Sequence, residues 1–118
     1  MAVTMSDDEF DGLVSDALDT IPSELTGAMN NVVILVEPHN PEEPDILGLY
    51  QGVALTLRDH DYGGFLPPDT ITIYRDPILA MCHSRDEVVH EVAVTVMHEI
   101  AHHFGIDDAW LHANGWGG

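Results

Sequence analysis

The chain has 118 residues, long enough for one hydrophobic core and too short for two, and 45% of it is hydrophobic. Three arginines (Arg58, Arg75, Arg85) and no lysine stand against 21 Asp and Glu, for a formal net charge of −18. Phosphate binding needs clustered cations, so nucleic acid and anionic membrane surfaces are excluded as expected partners, and a basic peptide or a metal ion is easier to accommodate. Cys82, the only cysteine, rules out an intrachain disulfide and reads as a small buried hydrophobe. No basic leader precedes an apolar run and no stretch reaches the length of a membrane span, so a soluble cytoplasmic protein is expected.

In chain order, Ser6-Asp7-Asp8-Glu9 is a capping box with acids in the first turn. Phe10, Leu13, Val14, Ala17 and Leu18 then recur at helical spacing, predicting an amphipathic helix that Pro22 stops. Residues 22–29 allow a short helical turn with Pro22 at its first position. The run Val32-Val33-Ile34-Leu35-Val36 predicts a strand over residues 31–37, buried on both faces and central in its sheet. Pro38, Pro41 and Pro44 force a loop, and His39 within it reads as an ordinary loop residue.

Residues 47–52 suit a short strand that turns at Gly52, and residues 54–58 allow another. Residues 59–69, rich in Asp, Gly and Pro, are expected to form a mobile loop. Thr70-Ile71-Thr72-Ile73-Tyr74-Arg75 alternates, predicting a strand with one face covered, on whose edge an extended peptide could add. Asp76 as N-cap and Pro77 as first residue predict a short helix to about Cys82. Ser84-Arg85-Asp86-Glu87 is a second capping box, and it opens the longest helix, over residues 85–104.

That helix is apolar nearly all round until His98, Glu99 and His102. The pattern from residue 98 is HExxHxxGxxD, with Gly105 and Asp108 at the fixed offsets. At about 100° per residue His98 and His102 share a face one turn apart, so two imidazoles can converge on one cation, with Glu99 beside them to hold a proton. Polar groups buried without partners cost about 1 to 3 kcal/mol each, a penalty that a bound metal removes. Gly105 suits a left-handed C-cap that reverses the chain and can bring Asp108 back toward the histidines. Ala109 and the residues after it allow one more helical turn before a tail expected to fray.

At this point the chain resembles small cytoplasmic bacterial zincin-like metallopeptidases, over residues 32–111. The resemblance is carried by Leu47-Gly48-Leu49-Tyr50, by residues 69–77 and by residues 98–108. It implies one domain spanning residues 1–118, with an α+β zincin-like fold: a small twisted sheet of three to four strands packed on a long active-site helix, with additional short helices. It further implies zinc held by His98, His102 and a third ligand past the glycine, mapped to Asp108, with Glu99 as the catalytic glutamate. Metzincins carry His where Asp108 stands and a downstream Met turn, whereas gluzincins take a Glu from a later helix. The ten residues after Asp108 contain neither Met nor Glu, which leaves Asp108 as the expected ligand and Asp107 as the alternative.

His103 lies about 100° round the helix from His102 and is expected to be structural. Tyr74, Arg75 and His112 are candidates to steady a developing oxyanion. The expected activity is zinc-dependent peptide hydrolysis through metal-activated water, with Glu99 as general base and a peptide or protein as substrate. The alternative is a zinc-binding or partner-binding module with little proteolysis, whose cleft a protein partner completes.

Overall fold

The computed structural model describes residues 3–21, 32–52 and 68–104, together with Ala109 and Ala113. Among them are three helices, α1 (Asp7–Asp19), α2 (Arg75–Met81) and α3 (Arg85–Phe104), and three strands, β1 (Val32–Glu37), β2 (Gly48–Gln51) and β3 (Asp69–Tyr74). The expected turn at residues 22–29, the strand at 54–58, the loop at 59–67 and the tail lie outside the described residues.

Local signals place the two longer helices. Ser6 caps α1, its Oγ accepting the Glu9 amide at 3.2 Å, and Phe10, Val14 and Ala17 face inward. Ser84 does the same for α3 through the Glu87 amide at 3.1 Å. The Glu87 carboxylate accepts not from Ser84 but from the His83 amide, at 3.2 Å. α2 starts a residue or two earlier than its sequence suggests: Tyr74 is the N-cap, without a side-chain cap bond, and Asp76 and Pro77 already lie inside the first turn. Proline is tolerated there because the first-turn amides have no helical acceptor.

The sheet order is β1-β3-β2, with β1 parallel to β3 and β2 antiparallel to it. Two expectations are overturned by this order. The apolar run of β1 lies at an edge of the described sheet, and its residues alternate between half-buried and exposed, Val33 and Leu35 being 40% and 44% exposed. The Thr-Ile alternation of β3 belongs to the central strand, paired on both sides, with Thr72 only 2% exposed. Threonine misleads here because its β-branched side chain fits a buried strand as well as valine does. Among the described residues no buried side-chain nitrogen or oxygen lacks a partner.

The chain reaches β2 from β1 by passing the end of β3. Asn40 folds this proline-rich loop back, its Oδ1 accepting the Glu42 and Glu43 amides at 2.8 and 2.9 Å. The Asp76 amide donates to the Pro38 carbonyl at 2.8 Å, and the Tyr74 amide donates to the Leu47 carbonyl at 2.9 Å. His39 is a loop residue, as expected, 3.7 Å from Asp76.

α3 packs against β2 and β3, and α1 packs against α3. Phe10 from α1, Ile71 and Ile73 from β3, Ile78 from α2, and Val88, Val92, Val96, Met97 and Ile100 from α3 form the core. Cys82 is fully buried among them. Burial pushes its thiol up to about 11, with the Glu91 and Glu87 charges acting in the same direction. No helix among the described residues is long and apolar enough to cross a membrane.

Candidate active site

The last turns of α3 carry His98 and Glu99, half-buried, and His102, exposed. The helix continues unbroken from Arg85 through these residues, so the two histidines stand one turn apart on one face, as the i, i+4 spacing requires. A cleft of about 370 Å³ opens along this face, bounded by His98, Glu99, Thr95 and Glu91 on the helix and by Asp45 to Gly48 on the approach to β2. Asp45 and Glu91 make its rim acidic. Ile46, Leu47 and Val94 make its walls apolar.

The backbone of Tyr50 lies close enough to the Glu99 carboxyl to favour its charged form. The geometry of β2 explains why that backbone is available. Leu47 and Tyr74 form a ladder pair, and ladder pairs alternate along an antiparallel strand, so Leu49 and Gln51 also bond to β3 while the backbone groups of Gly48 and Tyr50 face the other edge. The Tyr50 side chain ties the strand inward, its hydroxyl donating to the buried Asp69 Oδ2 at 2.7 Å.

Burial raises the Glu99 carboxyl above the usual carboxylate range, while the neighbouring His102, the Tyr50 backbone and His98 pull the other way. Desolvation disfavours the charged form of an acid, and nearby donors or cations favour it. A carboxylate moved toward neutrality in this way is suited to take up and release a proton.

The two oxyanion candidates within the described residues lie elsewhere. Tyr74 points to the sheet face opposite α3, since Ile73 and Gly48 face the helix, and its hydroxyl accepts from Asn40 Nδ2 at 3.0 Å. Arg75 is engaged with Asp7 at 2.9 Å and Asp76 at 3.5 Å. Asp107, Asp108 and His112 lie outside the described residues, as does the side chain of His103. Among the described residues no three His, Cys, Asp or Glu side chains form a metal-binding group. The donors that are described, two imidazoles one turn apart beside a carboxylate, suit a borderline cation such as Zn²⁺ and leave room for a third ligand.

The sequence reading named Gly48 but passed over Thr95, which Gly48 lies against, and the other residues that line the cleft, Asp45, Ile46 and Glu91. A glycine inside a strand is the signal that pointed there, because it often marks a close approach of another segment.

A mixed sheet laid on a long helix whose far end bears an HExxH sequence defines the zincin-like class of α+β fold. The chain belongs to the zincin-like metallopeptidase family, whose profile matches residues 29–116. Among solved structures it is similar to a conserved hypothetical protein from Thermus thermophilus, with 20% identity, a TM-score of 0.56, and coverage of 85% of this chain and 94% of that one. That likeness concerns the fold. No curated protein gives a significant match.

Proposed function

We propose that the chain is a zinc-dependent metallopeptidase in which Glu99 is the general base and His98, His102 and Asp108 hold the metal. The observation that carries this reading is the placement of the Glu99 carboxylate, half-buried at a cleft beside His98. When bound, zinc supplies a Lewis acid that polarises the scissile carbonyl and acidifies water. Glu99 accepts the proton of the attacking water and returns it to the leaving nitrogen, and its raised pKa suits both tasks.

The substrate edge is not β3, which is paired on both sides. β2 lies at an edge of the described sheet, which makes it the strand on which an extended peptide adds beside Glu99. The acidic rim of the cleft, Asp45 and Glu91, favours a peptide with a basic side chain, in keeping with the net charge of −18.

The test is zinc stoichiometry, followed by cleavage of a degenerate peptide library by wild type and Glu99→Gln. Near one zinc per chain is expected, lost in His98→Ala, with kcat falling about 10²- to 10⁴-fold in Glu99→Gln, the usual contribution of a general base. Cleavage unaffected by Glu99→Gln would end the mechanism. Bound zinc without cleavage under any condition would turn the assignment to a binding module, and no zinc in wild type would end both.

A further inference from the structure

We propose that Glu91 is a specificity-determining residue of the candidate site: its carboxylate takes the cation of one arginine or lysine side chain of the substrate, held along the cleft within about three residues of the scissile bond. The inference rests on the reading of this cleft as a peptide site, and it goes beyond the acidity of the rim by naming one side chain and one offset.

Glu91, Thr95 and His98 form one stripe of α3. Steps of four and three residues bring each to nearly the same angle on the helix, and all three border the cleft. From Glu91 to His98 the helix rises about 10 Å, the length of about three residues of extended chain. A substrate whose scissile carbonyl lies near His98 therefore has a side chain level with Glu91 no further away than that. Between the two ends the cleft is lined by Ile46 and Leu47 on one side and by Val94 on the helix. Arginine and lysine bury their aliphatic stems on such apolar surface and keep the charged head at its polar end.

The floor of the cleft directs the side chain along the stripe. A Cβ on Gly48 would stand 2.6 Å from Thr95 Cγ2, so β2 and α3 touch there and nothing passes between them. Thr95 is itself buried, and its hydroxyl donates to the Glu91 carbonyl at 2.7 Å. Among the described residues no arginine pairs with Glu91: Arg75 is engaged with Asp7 and Asp76, and Arg85 with Glu9. The chain has no lysine. Asp45 shares the rim but is exposed on the approach to β2, where an ion pair is worth little. Glu91 is half-buried on a long helix, which fixes its position better than a loop does.

The experiment compares blocked peptides Ala-Ala-Xaa-Ala-Ala in which Xaa is arginine, norleucine or glutamate. Binding is read by NMR on the full ¹⁵N-labelled chain carrying Glu99→Gln, so that the peptide survives. The arginine peptide is expected to bind about five-fold more tightly than the norleucine peptide, the upper end for a partly exposed ion pair. It should shift the amides of Leu47, Gly48 and Val94, and not those of the acidic turn at Asp7, Asp8 and Glu9. Glu91→Gln should bring the ratio close to one, Asp45→Asn should leave most of it, and Glu91→Arg should reverse the preference to the glutamate peptide. With Glu91 in place, salt at about 1 M should also narrow the ratio. In cleavage of a degenerate library, Glu91 should enrich arginine and lysine about five-fold at one position within about three residues of the cut, and Glu91→Gln should not.

Equal binding of the arginine and norleucine peptides, a ratio unchanged by Glu91→Gln, or a ratio lost in Asp45→Asn overturns the proposal. So do shifts confined to the acidic surface outside the cleft, and so does an equal loss for both peptides in Glu91→Gln, which a merely structural role would give. Should the Glu91 variants not fold, the salt series on the chain with Glu91 intact decides, and a ratio that salt does not narrow overturns it. A chain that cleaves nothing refutes the peptidase reading and leaves the binding ratio to decide this one.

Discussion

The two edge strands of the described sheet differ in almost every respect. β1 is parallel to its neighbour and consists of β-branched and aliphatic residues up to Glu37, with Ile34 and Val36 bordering a groove beside α1. β2 is antiparallel and only four residues long, with a glycine at its start that lines the cleft beside the proposed base. Alternate residues of the apolar strand, Val32, Ile34 and Val36, pack half-buried against the core. The short strand with a glycine borders the cleft that holds the proposed base. Hydrophobicity thus does not mark the edge beside the proposed site, because a peptide site needs accessible backbone and close approach more than it needs buried area.

If this division holds, damage on the β1 side should appear as lost stability and damage on the β2 side as lost rate. The largest effect on stability is expected from Phe10→Ala in α1, a fully buried ring. Chemical denaturation should show a loss of about 3 to 5 kcal/mol, with kcat per folded molecule unchanged. A large fall in kcat at conditions where the variant is fully folded would break the comparison.

Next is Tyr50→Phe, which removes one hydroxyl from β2 and leaves its backbone unchanged. It removes the bond to Asp69 and should lower stability by about 1 to 2 kcal/mol in urea unfolding. The cleft residues are untouched, so the loss in kcat should be much smaller than that of Glu99→Gln. A still smaller effect is expected from Leu35→Thr, at a side chain 44% exposed on β1, where a shift within about 0.5 kcal/mol is ordinary for a surface position.

The smallest effect, and one that depends on pH, is expected at the exposed Glu9–Arg85 pair between α1 and α3. The hydrogen bond from Arg85, and then its charge, hold the Glu9 carboxyl below its ordinary value of 4.5. A folded pKa below the unfolded one gives stability that is present above that ordinary value and lost as pH falls through the folded pKa. Thermal melts should therefore show a slightly lower Tm for Glu9→Gln at pH 7, with the difference vanishing in acid. A difference that grows in acid would contradict the pairing.

The helices were legible because their signals are local. Ser6 and Ser84 mark starts within one turn of the residues they cap, and the His98, Glu99 and His102 pattern needs only a helix to acquire its geometry. Strand order was not legible, since nothing within Val32 to Val36 says which neighbours it will have. Burial in β3 comes from strands on either side and from α3, none adjacent to it in sequence. Likewise Glu99 could be named from its motif, but the cleft beside it is closed by residues 45–48, about fifty residues earlier. Sequence spacing carries no record of that meeting.

Cys82 sits where α2 ends and is packed against α3, and its thiol, pushed up to about 11, is almost wholly protonated at neutral pH. Such a thiol is a poor nucleophile until the core around it opens. With no second cysteine in the chain, its reaction with a thiol reagent becomes a clock for that opening. It would time the breathing of the α2–α3 corner separately from movements of the β2 edge.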